Sequence, residues 1–220
     1  MQQNHVGNRG LRQACMQPSA EQKIITVSGL YSGIGKTGLC RHIISLMPGC
    51  AAIKVTINDH TTEVLDDEAS IMVAGKDTWR MKTSGAGQVV WVRAQEAHLK
   101  GALADALKRV DANLRLLIEG NSMLAHITPT VAVFICDSRI CADKPPKPSR
   151  AEALAKADII INNMRAGVDT AQAAVQTIIR GYNPAAPVIS LNIADSATAL
   201  AFARNLLQAY GFLPAGPRVS

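Results

Sequence analysis

The sequence predicts an α/β fold of three layers, a mostly parallel sheet with helices on both faces. Three observations predict it. Short aliphatic runs alternate with amphipathic helical stretches along most of the chain. The core on offer is aliphatic, since 220 residues contain only three Phe, three Tyr and two Trp while 48% are apolar, and such residues suit parallel strands buried on both faces. Polar residues gather where the strands end, at Ser28-Gly29, Lys54 to Thr56, Glu119-Gly120, Asp137 and Asn162-Asn163, which is where such sheets bind ligands.

The elements follow in order. Ile24 to Val27 is a β-branched strand, and Gly29 to Gly35 is a glycine-rich loop. A helical pattern from Lys36 to Met47 is stopped by Pro48-Gly49. Ala51 to Thr56 is a second strand, residues 57–87 are the least regular part, and Gln88 to Val92 is a third strand. Ala94 to Val110 reads as one amphipathic helix, with Ala97, Gly101, Ala104 and Leu107 at helical spacing. Leu114 to Ile118 and Val131 to Ile135 are further strands, and the three prolines of residues 142–150 predict a loop. A helix, the strand Ile159 to Ile161, a helix from Val168 to Arg180, a strand from Val188 to Leu191 and a helix from Ser196 to Tyr210 close the chain. Residues 1–22 read as a flexible polar tail and 23–220 as a single domain.

Composition excludes several classes. Disorder is excluded by the apolar fraction and a charged content of only 18%. Five cysteines without a CxxC pair fit a reducing compartment better than a disulfide framework. The N-terminus lacks the apolar core of a secretory signal, and no run approaches the ~18 apolar residues of a membrane span. The expected location is cytoplasmic, with no membrane partner. The net charge of +6 is spread along the chain, with no Lys/Arg run beyond pairs such as Lys108-Arg109. With so few aromatics to stack bases, this argues against nucleic acid and for small phosphate ligands.

The phosphate signal is Gly29-Leu30-Tyr31-Ser32-Gly33-Ile34-Gly35-Lys36-Thr37-Gly38, between a strand and a helix. The first glycine sits one residue earlier than in the strict GxxxxGK[ST] spacing, where Leu30 would stand. Glycines let backbone N–H groups converge on phosphate oxygens at a helix N-terminus. Lys36 then reaches the β- and γ-phosphates and the Thr37 hydroxyl serves Mg²⁺. This predicts a three-layer P-loop NTPase binding GTP or ATP. An acidic partner for the metal is expected from another strand end: Glu119 first, Asp137 second, with Asp59 and Asp66/Asp67 as further candidates.

The segment Tyr31 to Thr37 resembles the YSGSGKT loop of the MobB family, the molybdopterin-guanine dinucleotide biosynthesis adaptor. Gly75-Lys76-Asp77-Thr78-Trp79-Arg80, followed by Ser84 to Val89, looks like that family's GKDS-x-R…AGA-x-x-V signature. Ile53-Lys54 and Leu117-Ile118-Glu119-Gly120 are similar to its second-strand end and its (V/I)EG segment, and the order matches over residues 24–207. The family's Pro-Lys-(I/V)-Glu after EG is replaced by Asn121-Ser122-Met123. The resemblance implies a P-loop protein related to dethiobiotin synthetase and the metallochaperone GTPases. It implies Mg²⁺-dependent nucleotide binding, slow hydrolysis, help in attaching a guanine nucleotide to molybdopterin, a homodimer and a partner maturation protein. It places Gly33, Gly35, Lys36 and Thr37 on phosphate and metal, Lys76, Asp77 and Arg80 at the nucleotide or cofactor, and Glu119 at the metal or water. Lys36 and Glu119 are then the catalytic candidates.

Two other readings accompany it. An ATP-dependent carboxylate-activating enzyme would use Lys54 to hold an acidic substrate. A nucleotide-switched metal-delivery adaptor would use Cys136, Cys141 and His60, since thiolates favour soft metals. Asn162-Asn163 lies where a base would be read, because an amide both donates and accepts. Lys144, Lys147 and Arg150 offer either a second anion site or a solvated loop.

Overall fold

The computed structural model describes residues 22–140, 145–164 and 172–215. The expected tail over residues 1–22 lies outside them except for Gln22, as do Lys144 and Cys141.

In chain order the elements are β1 (Ile24–Gly29), α1 (Lys36–Leu46), β2 (Ala51–Ile57), β3 (Glu63–Leu65), α2 (Glu68–Ile71), α3 (Asp77–Thr83), β4 (Gln88–Ala94), α4 (Leu99–Arg109) and β5 (Leu116–Glu119). Then come β6 (Val131–Cys136), α5 (Pro148–Ala155), β7 (Ile159–Asn163), α6 (Gln172–Tyr182), β8 (Val188–Leu191) and α7 (Ser196–Ala209). Short 3₁₀ turns occupy Glu96–His98 and Ser122–Ala125.

Among the described residues the strands form one sheet in the order β3-β4-β2-β5-β1-β6-β7-β8. Every pairing is parallel except that of β3 with β4. The strand period of two splits each strand between two cores. Ile25 and Val27 of β1 pack with Leu39, Ile43, Met81 and Leu207 of α1, α3 and α7. Ile24 packs on the other face with Leu99, Leu103, Leu154 and Ile179 of α4, α5 and α6. All positions of β1, β5 and β6 are buried, as a sheet covered on both faces requires. β1 lies between β5 and β6, so the strand order switches direction at its carboxyl end, above which a crevice opens.

Three local expectations change. The helix expected from Ala94 starts only at Leu99, because β4 continues to Ala94, paired with Ile57 and fully buried. The expected proline loop ends at Pro148, which opens α5 at a position where a missing N–H costs nothing. The irregular stretch 57–87 holds β3, α2 and α3. α3 sets Asp77, its first residue, facing the sheet end.

Candidate functional site

The loop after β1 leads into α1 without a side-chain cap. Gly35 caps α1 at φ 113° with no side-chain hydrogen bond to the first turn, and no acid lies in that turn. The orphan amides of an eleven-residue helix therefore face the crevice. A side chain at Gly35 would need a positive φ and would meet Asn163 Nδ2 at 3.1 Å. At Gly29 a Cβ would stand 2.7 Å from Ile34 Cγ2, so only glycine lets the loop fold back on itself. The side chain of Ile34 is completely buried and pins the loop to the α1–α7 core.

Three bonds anchor the loop to neighbouring strands. The Gly29 N–H donates to Asn121 Oδ1 at 2.8 Å after β5, and the Leu30 N–H to the Ile135 carbonyl at 2.9 Å in β6. Asn163, at the end of β7, donates from Nδ2 to the Ile34 carbonyl at 2.8 Å and accepts at Oδ1 from the Ile193 N–H at 3.0 Å.

A 340 Å³ cavity lies over the loop, lined by Gly33, Gly35, Lys36, Thr37 and Gly38 on the loop side. Lys54, Asp77, Arg80 and Glu119 form its other wall. Lys36 Nζ reaches back to the Tyr31 carbonyl at 3.0 Å. Burial lowers its pKa against the opposing pull of Glu119.

The charges form a chain. The Thr37 hydroxyl donates to Glu119 at 3.1 and 3.3 Å. Lys54 Nζ lies 2.6 Å from Glu119 Oε1 and 2.6 Å from Asp77 Oδ2. Arg80 Nη1 is 3.7 Å from Asp77. Burial alone would lower the Lys54 pKa, but the Glu119 and Asp77 carboxylates outweigh it and raise it. Burial of Asp77 is likewise outweighed, first by the Lys54 hydrogen bond, and its pKa falls. An ammonium thus stands as the cation between two carboxylates, one of which accepts the Thr37 hydroxyl. Mg²⁺ is held in such sites by one or two carboxylates, a hydroxyl and phosphate oxygens, so Thr37, Glu119 and Asp77 fit it.

The remaining candidates are placed differently. Asp137, just after β6, is buried outside the cavity over the loop. It accepts from the Tyr31 hydroxyl and from Arg139 Nη2 at 2.7 Å, and Arg139 lies 4.3 Å over the Tyr31 ring. Burial would raise its pKa, but Arg139 and Tyr31 hold it below the usual carboxylate value. Lys76 is exposed at the N-cap of α3, outside the cavity wall. Asn162 is buried, its amide 3.4 Å from Ser190 Oγ. Asp66 pairs with Arg109 at 3.0 Å, and Asp67 caps α2 through the Ser70 N–H. The Cys136 thiol is buried, its pKa pushed up to about 12 chiefly by burial. His60 is exposed in the loop after β2. Among the described residues no three His, Cys, Asp or Glu side chains gather as a metal cluster.

The resemblance places Asp77 at the nucleotide or cofactor but not among the metal-holding acids, and the sequence does not mark Asn121 as the clamp on Gly29. The signal for Asp77 was its place as the first helical residue after a Gly-Lys turn. Asn121 gave no signal beyond following a strand end.

No known sequence family and no curated protein matches the chain. Solved structures do match its shape. HypB from Helicobacter pylori, solved in complex with nickel, is 14% identical and superposes with a TM-score of 0.53, covering 90% of this chain and 91% of that one. The hydrogenase maturation factor HypB from Archaeoglobus fulgidus is 16% identical with a TM-score of 0.55, covering 86% and 90%. At these identities the likeness shows the fold, and that fold, with its eight-stranded mostly parallel sheet, is the α/β fold of the P-loop NTPases.

Proposed function

We infer that the protein binds a nucleoside triphosphate, GTP or ATP, with Mg²⁺ on the loop 29–38 and hydrolyses it slowly. The observation that carries this reading is the Thr37–Glu119–Lys54–Asp77 chain beside uncapped helix amides. Thr37, Glu119 and Asp77 would hold Mg²⁺. When bound, the ion supplies Lewis-acid neutralisation of charge on the phosphate oxygens. The chain's own groups do the rest. Backbone N–H groups of residues 33–38 cradle the phosphates. Lys36 leaves the Tyr31 carbonyl for the β/γ-phosphates, and the buried setting strengthens its attraction. Glu119, 1% exposed, orients the Thr37 hydroxyl and an attacking water.

A finer reading assigns the hydrolysis to molybdenum-cofactor maturation, with molybdopterin as second ligand, a homodimer and a partner maturation protein. Its support is the resemblance of residues 31–37 and 75–89 to the MobB family. ATP-dependent carboxylate activation is a second reading, favoured by Lys54, which lines both the phosphate cavity and the larger cleft beside it.

Calorimetry with Mg²⁺ and either GTP or ATP tests the first reading. Lys36→Ala should weaken the preferred nucleotide by about a hundredfold, and an unaltered affinity overturns the site. Mass spectrometry of any co-purified ligand tests the finer one, since a pterin supports it and another small molecule counts against it.

A further inference from the structure

We propose that a second, anionic small molecule binds beside the nucleotide, in the cleft between the ends of β2 and β5 and the start of α5, with Lys147 and Arg150 as its charge partners. The proposal rests on the nucleotide reading and adds a co-substrate to it.

The cleft encloses 620 Å³, within the range of about 300–1,000 Å³ usual for small-molecule sites. Its floor is common with the phosphate cavity, since Ser32, Lys36, Lys54 and Asp77 line both. The direction of a nucleotide on the loop follows from Lys36, which reaches the β/γ-phosphates. Lys36 lines both the cavity and the cleft, whereas Gly38, in the first turn of α1, lines the cavity alone and lies toward Ile193 beyond β8, where an added Cβ would stand 3.3 Å from Ile193 Cγ2. The γ-phosphate end therefore opens into the cleft, and the nucleoside end points away from it.

Lys147 and Arg150 line the far wall. Among the described residues neither has a carboxylate partner or a side-chain hydrogen bond. Their neighbours differ: Lys54, Arg80, Arg139 and Lys156 are each paired with an acid. Two uncommitted cations on a concave wall are matched by an anionic group. The wall is also preset. Pro145, Pro146 and Pro148 fix the backbone that presents the two cations. Lys156 ties α5 to the turn after β5 through the Leu124 carbonyl at 2.7 Å. A wall ordered in advance spares the ligand the cost of ordering it. Glu96 lies across the cleft and accepts the Ser122 hydroxyl at 3.3 Å, with lone pairs left for donors on a ligand. The ligand class is a small phosphate monoester or carboxylic acid with hydrogen-bond donors on its body, placed so that another of its groups faces the γ-phosphate.

The test uses the full chain loaded with Mg²⁺ and the β,γ-imido analogue of the nucleotide it binds, at constant ionic strength. Inorganic phosphate, followed by phosphorus NMR, and succinate, followed by saturation transfer, are the probes. At least one should bind saturably to the loaded parent. The Lys147→Ala/Arg150→Ala double variant should bind it about tenfold more weakly and hold the imido nucleotide with unchanged affinity. A phosphate response assigns the monoester class and a succinate response the carboxylic acids. If neither probe saturates, or the double variant binds as the parent does, the proposal is overturned. Failure of the parent to bind the imido nucleotide overturns the nucleotide reading instead, and that step is measured first.

Discussion

The Lys54 ammonium lies 2.6 Å from the Glu119 carboxylate and neutralises a group that is 1% exposed. It also touches Asp77 at 2.6 Å, so one cation fills the space between two carboxylates beside the loop after β1. A divalent ion entering that space must displace it. Lys54→Met should therefore let the nucleotide-free protein bind Mn²⁺ about tenfold more tightly, read by electron paramagnetic resonance. Without metal the same variant should lose about 3 kcal/mol of stability, because Glu119 is left buried without its partner. Mn²⁺ should restore that loss by mass action. Unaltered Mn²⁺ affinity would show that these carboxylates do not form the metal site.

Gly35→Ala should damage the loop itself. The residue sits at φ 113°, and a methyl group would press on Asn163 Nδ2 at 3.1 Å and Ile193 Cδ1 at 3.2 Å. The left-handed backbone alone costs about 1–2 kcal/mol. The expected result is a lower urea midpoint together with loss of nucleotide binding in calorimetry. Full binding by a stable variant would mean that the loop tolerates another path.

The loop was legible because Gly-Lys-Thr between a strand and a helix encodes local backbone geometry, and nearby residues fix it. The sheet was legible for a similar reason: runs such as Ile24 to Val27 and Val131 to Ile135 carry their burial in their own composition. What stayed hidden depends on long-range register. Asp77 meets Lys54 only because β2 and α3 are brought to the same sheet end, and nothing in residues 57–87 states that distance. The start of α4 was misplaced because Ala94 suits a helix by propensity, whereas pairing with Ile57 makes it strand. Asp137 is visible as a strand-end acid, but its pairing with Arg139 depends on a turn two residues long that the sequence does not specify.

Asn163→Ala separates a structural bracket from a base-reading group. The side chain bonds the Ile34 carbonyl and the Ile193 N–H in a buried setting. Removing it leaves two buried backbone groups unpaired and should cost about 2–3 kcal/mol in urea unfolding. Both GTP and ATP should weaken together, because the loop loosens while no base contact is lost. A change in their ratio would instead make Asn163 a reader of the base. The same ratio measured for Asn162→Ala shows whether its neighbour reads it.

Asp137 supplies the pH dependence. Arg139 and Tyr31 hold its folded pKa below the ordinary 3.8 despite burial. A depressed carboxylate contributes stability that is fully present above the unfolded pKa and is lost as pH falls through the folded value. The contribution should therefore stand at neutral pH and fade as pH drops below 3.8. Asp137→Asn removes it at every pH. The variant should be less stable than the parent by about 1–2 kcal/mol near neutrality, since Arg139 keeps access to water. The two urea midpoints should converge as pH falls below 3.8 and through the folded value of Asp137, where the parent loses the same charge. The variant should also bind Mn²⁺ as the parent does, because Asp137 is committed to Arg139 and lies outside the cavity lined by Thr37, Asp77 and Glu119. A fall in Mn²⁺ affinity would return Asp137 to the metal. A constant gap between the midpoints down to acid pH would show that the ion pair with Arg139 does not set its titration.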